Sequence, residues 1–147
     1  MLILALIYIN FYKKGGSLKI MNINKPHKNT ESFINKFFNN KSGTAIDLGA
    51  GDGSDTFFLL DNNWNVIAID KKANKNLLNA NIKYNGKLKY IISDFYKCEL
   101  EEADLVIANN SLPFCNKDSI SPIIIKIKNS LEKNKRIFHW NFFWKKR

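Results

Sequence analysis

Apolar residues fall along this chain in short solid runs, separated by stretches of helical period. Thr44-Ala45-Ile46-Asp47-Leu48 and Asn65-Val66-Ile67-Ala68-Ile69-Asp70 are two such runs. Residues 87–95 and 103–110 repeat the form, and residues 136–144 make a fifth with Phe138, Trp140, Phe142 and Trp144 at period two. Runs with little polar alternation suit strands covered on both faces. Between them, Asn29-Thr30 is placed to cap a helix presenting Phe33, Ile34, Phe37 and Phe38. Residues 54–60 read as a helix burying Phe57, Phe58 and Leu59 or Leu60. Ala73, Leu77, Leu78 and Ile82 mark a third helical face, and Ile124, Ile127 and Leu131 a fourth within residues 118–133. Pro122 in that stretch fits only near a first turn. Residues 97–103 form a short polar link. Strands alternating with helices predict an α/β fold with a parallel sheet.

The chemistry concentrates in Asp47-Leu48-Gly49-Ala50-Gly51-Asp52-Gly53-Ser54-Asp55. Three glycines at alternate positions bare the backbone to a ligand. Ser54 or Asp55 is placed to cap the following helix, whose first N–H groups favour a carboxylate or phosphate. The spacing departs from the dinucleotide fingerprint G-x-G-x-x-G, because Ser54 stands where its third glycine belongs. Asp47, inside the strand, is awkward beside a pyrophosphate and suits an ammonium. S-adenosylmethionine carries an ammonium, a carboxylate and a sulfonium, so its charges match. Asp70 follows Gly49 by about 20 residues, the place of an acid that takes both ribose hydroxyls. The next two strands end at Asp94 and at Asn109, and ligands of open α/β sheets bind at such ends.

With Asp47-x-Gly49-x-Gly51-x-Gly53 as its first motif, the chain resembles the class I S-adenosylmethionine-dependent methyltransferases. Within them it is similar to small-molecule enzymes of the tellurite-resistance type, over about residues 30–143. The runs from Ala103-Asp104-Leu105-Val106 through Ser111-Leu112-Pro113-Phe114-Cys115, and Asn141-Phe142-Phe143, carry that likeness. The resemblance implies a Rossmann-like α/β/α sandwich with a mainly parallel sheet of about five strands in the order 3-2-1-4-5. It implies S-adenosyl-L-methionine as cofactor. Asp47, Gly49, Ala50, Gly51 and Gly53 would lie at its methionine end, Asp70 at the ribose, and Asp94 and Phe95 at the adenine, with Lys71 also binding the cofactor. Asn109 would stand beside the cofactor, where the methyl is transferred, with Asn110 and Ser111 facing the acceptor. No residue stands out as a general base. Asn134-Lys135-Arg136 and Trp144 replace glycines usual in that group.

Composition narrows the reading. A chain of 147 residues with 45% apolar and 13% aromatic residues suits one folded domain. Cys98 and Cys115 lack C-x-x-C spacing and a histidine cluster, and His27 and His139 are far apart, so no metal site is expected. Reduced thiols fit a cytoplasmic location. The net charge is +10, yet the lysines are scattered and arginine is scarce, so a nucleic-acid partner is not favoured. Asn110-Ser111-Leu112-Pro113 does not match the N-P-P-Y tetrad of DNA amino-methylating enzymes. A small-molecule acceptor is expected; the alternatives are a cofactor-binding fragment without catalysis and an RNA or DNA methyltransferase.

Both ends are unusual. Residues 1–20 open with an apolar run too short to span a bilayer and without a cleavage site. Lys13-Lys14-Gly15-Gly16 ahead of Met21 looks like a translated ribosome-binding site, so the domain is expected to occupy 21–147. The family's usual sixth and seventh strands have no counterpart, which reads as a truncation. The aromatic fifth strand would then be an edge open to self-association or to a second subunit.

Overall fold

The computed structural model describes residues 26–39, 41–109, 111–112, 117–131 and 137–141. In chain order these form α1 (Lys28–Phe38), β1 (Thr44–Leu48), α2 (Ser54–Asp61), β2 (Asn65–Asp70), α3 (Lys75–Lys83), β3 (Leu88–Ile92), β4 (Leu105–Asn109), α4 (Lys117–Leu131) and β5 (Ile137–Asn141). The strands make one sheet in the order β3-β2-β1-β4-β5. Every neighbouring pair is parallel. Asp47 lies level with Ala68 on one side and Ile107 on the other.

Alternate residues of the solid apolar runs face opposite sides, so both faces are covered. Ala45, Val66, Ala68, Leu105 and Ile107 pack under Phe33 and Ile34 of α1, Phe57, Leu59 and Leu60 of α2, and Leu77 and Ala80 of α3. Ile46, Leu48, Ile67, Ile69, Val106 and Ala108 pack under Ile123 and Ile127 of α4, with Phe95, Cys98 and Leu100 alongside. Three helices therefore cover one face. On the other, α4 is joined by the irregular segment between β3 and β4. Trp64, fully buried, meets Phe38 edge-on and closes the end of the sheet opposite the glycine loop.

Several expectations are corrected. Asn29-Thr30 does not cap α1; the N-cap is His27, with no side-chain cap, and Thr30 is buried within the first turn. Leu78 and Ile82 are exposed, at 51% and 92%, and the buried face of α3 is Leu77 with Ala80. On α4, Ile123 replaces Ile124 as the inward residue. Both helices carry two overlapping apolar stripes, and helical period alone cannot say which one a crossover turns toward the sheet. Pro122 lies beyond the first turn, inside α4, with its ring exposed. The fifth strand is described over Ile137–Asn141. The aromatic face assigned to it, with Phe142 and Trp144, lies outside the described side chains, as do residues 1–20.

Strand order reverses between β1 and β4, since β2 and β3 continue to one side and β5 to the other. In open α/β sheets the crevice at that switch point, at the carboxyl ends, receives the ligand. Gly49 follows β1 there, and Asn109 ends β4.

Candidate functional site

The chain leaves β1 with Gly49 at φ 79°, Gly51 at 55° and Gly53 at 85°, a backbone that L side chains rarely adopt. Gly49 N and Ala50 N both donate to Ile69 O, at 2.7 and 3.1 Å, which ties the turn to β2. Gly51 N donates to Asp70 Oδ2 at 2.8 Å, and Lys72 N donates to Asp70 Oδ1 at 2.8 Å. Asn74 Nδ2 donates to Gly51 O at 3.1 Å. The loop is thus braced by the end of β2 before any ligand arrives. A Cβ at Gly51 would make only an ordinary contact, with Gly49 O at 3.8 Å, so this glycine is not crowded.

The cap expected for α2 is corrected. Its N-cap is Gly53, without a side-chain cap. Asp52 Oδ1 instead takes Ser54 N at 3.0 Å and Ser54 Oγ at 2.8 Å. Asp55 is buried and serves tertiary contacts. Its Oδ1 accepts from His27 N at 2.8 Å and its Oδ2 from Asn109 Nδ2 at 2.7 Å. Asn109 Nδ2 also donates to Thr30 Oγ1 at 2.8 Å. One carboxylate therefore joins the starts of α1 and α2 to the end of β4.

Asp47 is buried beneath the loop and accepts from Thr56 Oγ1 at 2.7 Å. Burial above all, then the carboxylates of Asp55, Asp70 and Asp52, push its pKa up to about 7 against the pull of the Thr56 hydrogen bond. A carboxyl raised in the folded state holds its proton after the unfolded chain has lost it, so this group's contribution to stability falls as pH rises from 3.8 to about 7. Melting temperatures of the wild type and Asp47→Asn across that window check the sign. The wild type is expected to lose ground to the variant as pH rises and to hold level above. A constant difference would contradict the raised pKa.

Other site residues group around the same end of the sheet. Ser93 N donates to Asp70 O at 2.9 Å, which sets Asp94 beside the end of β2. Asp94 Oδ2 accepts from Tyr96 Oη at 3.0 Å. Phe95 is half-buried and meets Tyr96 edge-on. Lys126 Nζ donates to Tyr96 O at 3.1 Å and to Cys98 O at 2.8 Å, so α4 clamps this turn. Lys71 is exposed just past Asp70. Ser111 is buried against Gly49, where any Cβ would collide with it. Asn110 lies outside the described residues. Among the described residues, no group of three or more His, Cys, Asp or Glu could hold a metal ion, and no helix is long and apolar enough to cross a membrane.

Sequence reasoning missed Thr56, Asn74, Tyr90 and Lys126, and gave Thr30 a capping role in place of its contact with Asn109. Asn74 had a legible signal. It stands three residues before Leu77, at a cap position, and accepts from Asn76 N and Leu77 N. Tyr90 had none: its hydroxyl donates to Lys72 O at 2.9 Å and accepts from Asn74 N at 3.1 Å, contacts made across the β2–α3 turn.

This sheet order, with a glycine loop after β1 and acids at the ends of the next two strands, is the fold of the class I S-adenosylmethionine-dependent methyltransferases. The chain belongs to the family described as tellurite resistance protein TehB, whose model matches residues 16–135. It is 30% identical over 99 residues to a carboxy-S-adenosyl-L-methionine synthase of Campylobacter concisus, covering 64% of this chain and 42% of the relative. The chain thus spans less than half the length of that curated relative. Among solved structures, TehB from Haemophilus influenzae superposes with a TM-score of 0.60 at 20% identity, over 71% of this chain and 36% of that one. The Burkholderia thailandensis 1,6-didemethyltoxoflavin-N1-methyltransferase, solved with S-adenosylhomocysteine, gives 0.64 at 17% identity, over 71% and 46%.

Proposed function

We propose that the chain binds S-adenosylmethionine and transfers its methyl group to a small-molecule acceptor. The observation that carries this reading is the hydrogen bond from Gly51 N to Asp70 Oδ2, which sets the acid against the glycine loop. A carboxylate has about four acceptor sites, so Asp70 retains capacity for two ribose hydroxyls beside its two backbone donors. Among the described residues, the buried Asn109 Oδ1 and Ser111 Oγ have no hydrogen-bond partner, which also fits a ligand bound here.

On this reading Asp47 lies beneath the methionine end, where the cofactor's ammonium would favour its ionised form, and Gly49, Ala50, Gly51 and Gly53 form the backbone cradle. Asp70 and Lys71 border the ribose, and Asp94 and Phe95 the adenine. Asn109 stands at the transfer mouth, with Asn110 and Ser111 toward the acceptor. The bound cofactor supplies an activated methyl; the chain supplies orientation and exclusion of water. Support comes from family membership and from a curated relative whose name specifies S-adenosylmethionine chemistry. The small-molecule acceptor follows the toxoflavin-precursor enzyme by analogy alone. Cytoplasmic location and pairing through β5 belong to the same proposal.

Calorimetric titration of S-adenosylhomocysteine into the purified chain tests it. Saturable one-to-one binding is expected. A folded chain that does not bind refutes the reading.

A further inference from the structure

Gly51 is held by the protein at both of its polar atoms. Its N–H donates to Asp70 Oδ2 at 2.8 Å, and its carbonyl accepts from Asn74 Nδ2 at 3.1 Å. Glycine has more backbone freedom to lose than any other residue, so two ties matter most at such a position. The second tie comes from a side chain that the cofactor assignment leaves unused.

Asn74 is oriented by its other contacts. Its Oδ1 accepts from Asn76 N at 2.8 Å and also from Leu77 N, which makes it the N-cap of α3. The amide oxygen therefore serves the helix, and the amide nitrogen serves the loop. Turning the amide over would set its oxygen against Gly51 O and leave the α3 donors facing another donor. A cap by itself does not call for asparagine, because serine and aspartate cap about as well. What asparagine adds here is the N–H that reaches Gly51.

Behind Asn74 stands Tyr90 of β3. Its hydroxyl donates to Lys72 O at 2.9 Å and accepts from Asn74 N at 3.1 Å, so it pins the β2–α3 turn at two points. Both holds on Gly51 issue from that turn. Lys72 N fixes Asp70 through Oδ1 at 2.8 Å, and Asn74 takes the carbonyl. The first turn of α3 also presses on the third glycine, since a Cβ at Gly53 would come within 2.8 Å of Leu77 Cδ2. A hydroxyl on the third strand thus sets the loop that follows the first.

We propose that Asn74 and Tyr90 are positioning residues for the cofactor: Asn74 holds the glycine loop in its binding form before the cofactor arrives, and Tyr90 holds Asn74. The inference rests on the S-adenosylmethionine reading and adds to it two residues that act through the loop. A ligand that had to order Gly51 itself would bind more weakly, by up to about tenfold.

The test uses the full chain and S-adenosylhomocysteine. Calorimetry, thermal unfolding and amide hydrogen exchange are run on the wild type, Asn74→Ser, Asn74→Asp, Asn74→Ala and Tyr90→Phe. Failure of the wild type to bind removes the S-adenosylmethionine reading, and this proposal with it. With binding intact, Asn74→Ser and Asn74→Asp keep the cap and are expected to melt within about 2 °C of wild type. Their dissociation constants are expected to rise about threefold or more, most in Asn74→Asp, whose carboxylate offers Gly51 O no hydrogen. The serine variant separates that loss from the effect of added charge. In both free proteins the amides of residues 49–53 should exchange about threefold faster or more, with α3 unchanged. Asn74→Ala loses cap and tie together, so it alone should also melt lower, by about 3 °C or more. Tyr90→Phe keeps the ring and the cap; it is expected to bind about threefold more weakly, and it decides the matter if the Asn74 variants do not fold. Affinity within about twofold of wild type in Asn74→Ser and Asn74→Asp overturns the proposal, as does wild-type affinity in Tyr90→Phe. An affinity loss confined to Asn74→Ala overturns it too, because Asn74 is then a helix cap alone.

Discussion

Asp70→Ala is expected to weaken S-adenosylhomocysteine binding by at least about 100-fold. A hydrogen bond to a charged group contributes about 1.5–3 kcal/mol, and on the proposed reading two ribose hydroxyls would make two such bonds. Each 1.4 kcal/mol or so is a factor of ten in affinity. The same side chain takes Gly51 N and Lys72 N at 2.8 Å each, so its removal also frees the glycine loop from β2. Asp70→Asn separates the two roles. Its amide keeps one acceptor for the loop and loses the charge, so its affinity should fall between those of wild type and alanine. Calorimetry on the three proteins decides it, and a loss under about threefold in Asp70→Ala would remove Asp70 from the ribose.

Gly49→Ala should be the most damaging single methyl in the loop. At φ 79° an alanine occupies the left-handed region, which costs about 1–2 kcal/mol. The added Cβ also collides with Ser111 Cβ, and Ser111 is buried with little room to retreat. Overpacking of that kind adds about 1–3 kcal/mol. The sum predicts a melting temperature lower by at least about 6 °C. Gly51→Ala is the contrast: its Cβ makes only an ordinary contact with Gly49 O at 3.8 Å, with φ 55° as its one penalty. Thermal unfolding should rank wild type, Gly51→Ala and Gly49→Ala in falling order. Equal melting of the two variants would mean that Ser111 does not press on the loop.

Asp47 and Asp55 show where the site was legible and where it was not. Asp47, two residues before Gly49, announced a buried acid by its place in a solid apolar strand. Its partner Thr56 could not be read, because a threonine inside a helix gives no sign of facing a carboxylate from β1. Asp55 was read as a helix cap from local spacing. In the fold Gly53 takes that place, and Asp55 serves His27 and Asn109, which approach from 28 and 54 residues away. Local propensity lost there to tertiary hydrogen bonding.

The sequence by itself determined the parallel sheet, its helix alternation and the glycine turn. Solid apolar runs admit burial on both faces, and residues forced to positive φ require glycine. β2 is legible to the residue, because Asn65 and Asp70 bound an unbroken apolar run. Only the tertiary structure decided which stripe of α3 and α4 faces inward, since Leu77 with Ala80 and Leu78 with Ile82 are both at helical spacing. It alone locked the Asn109 amide. That lock needs the starts of α1 and α2 and the end of β4 in one place, and such convergence is a property of the packed sheet, invisible in any local window of sequence.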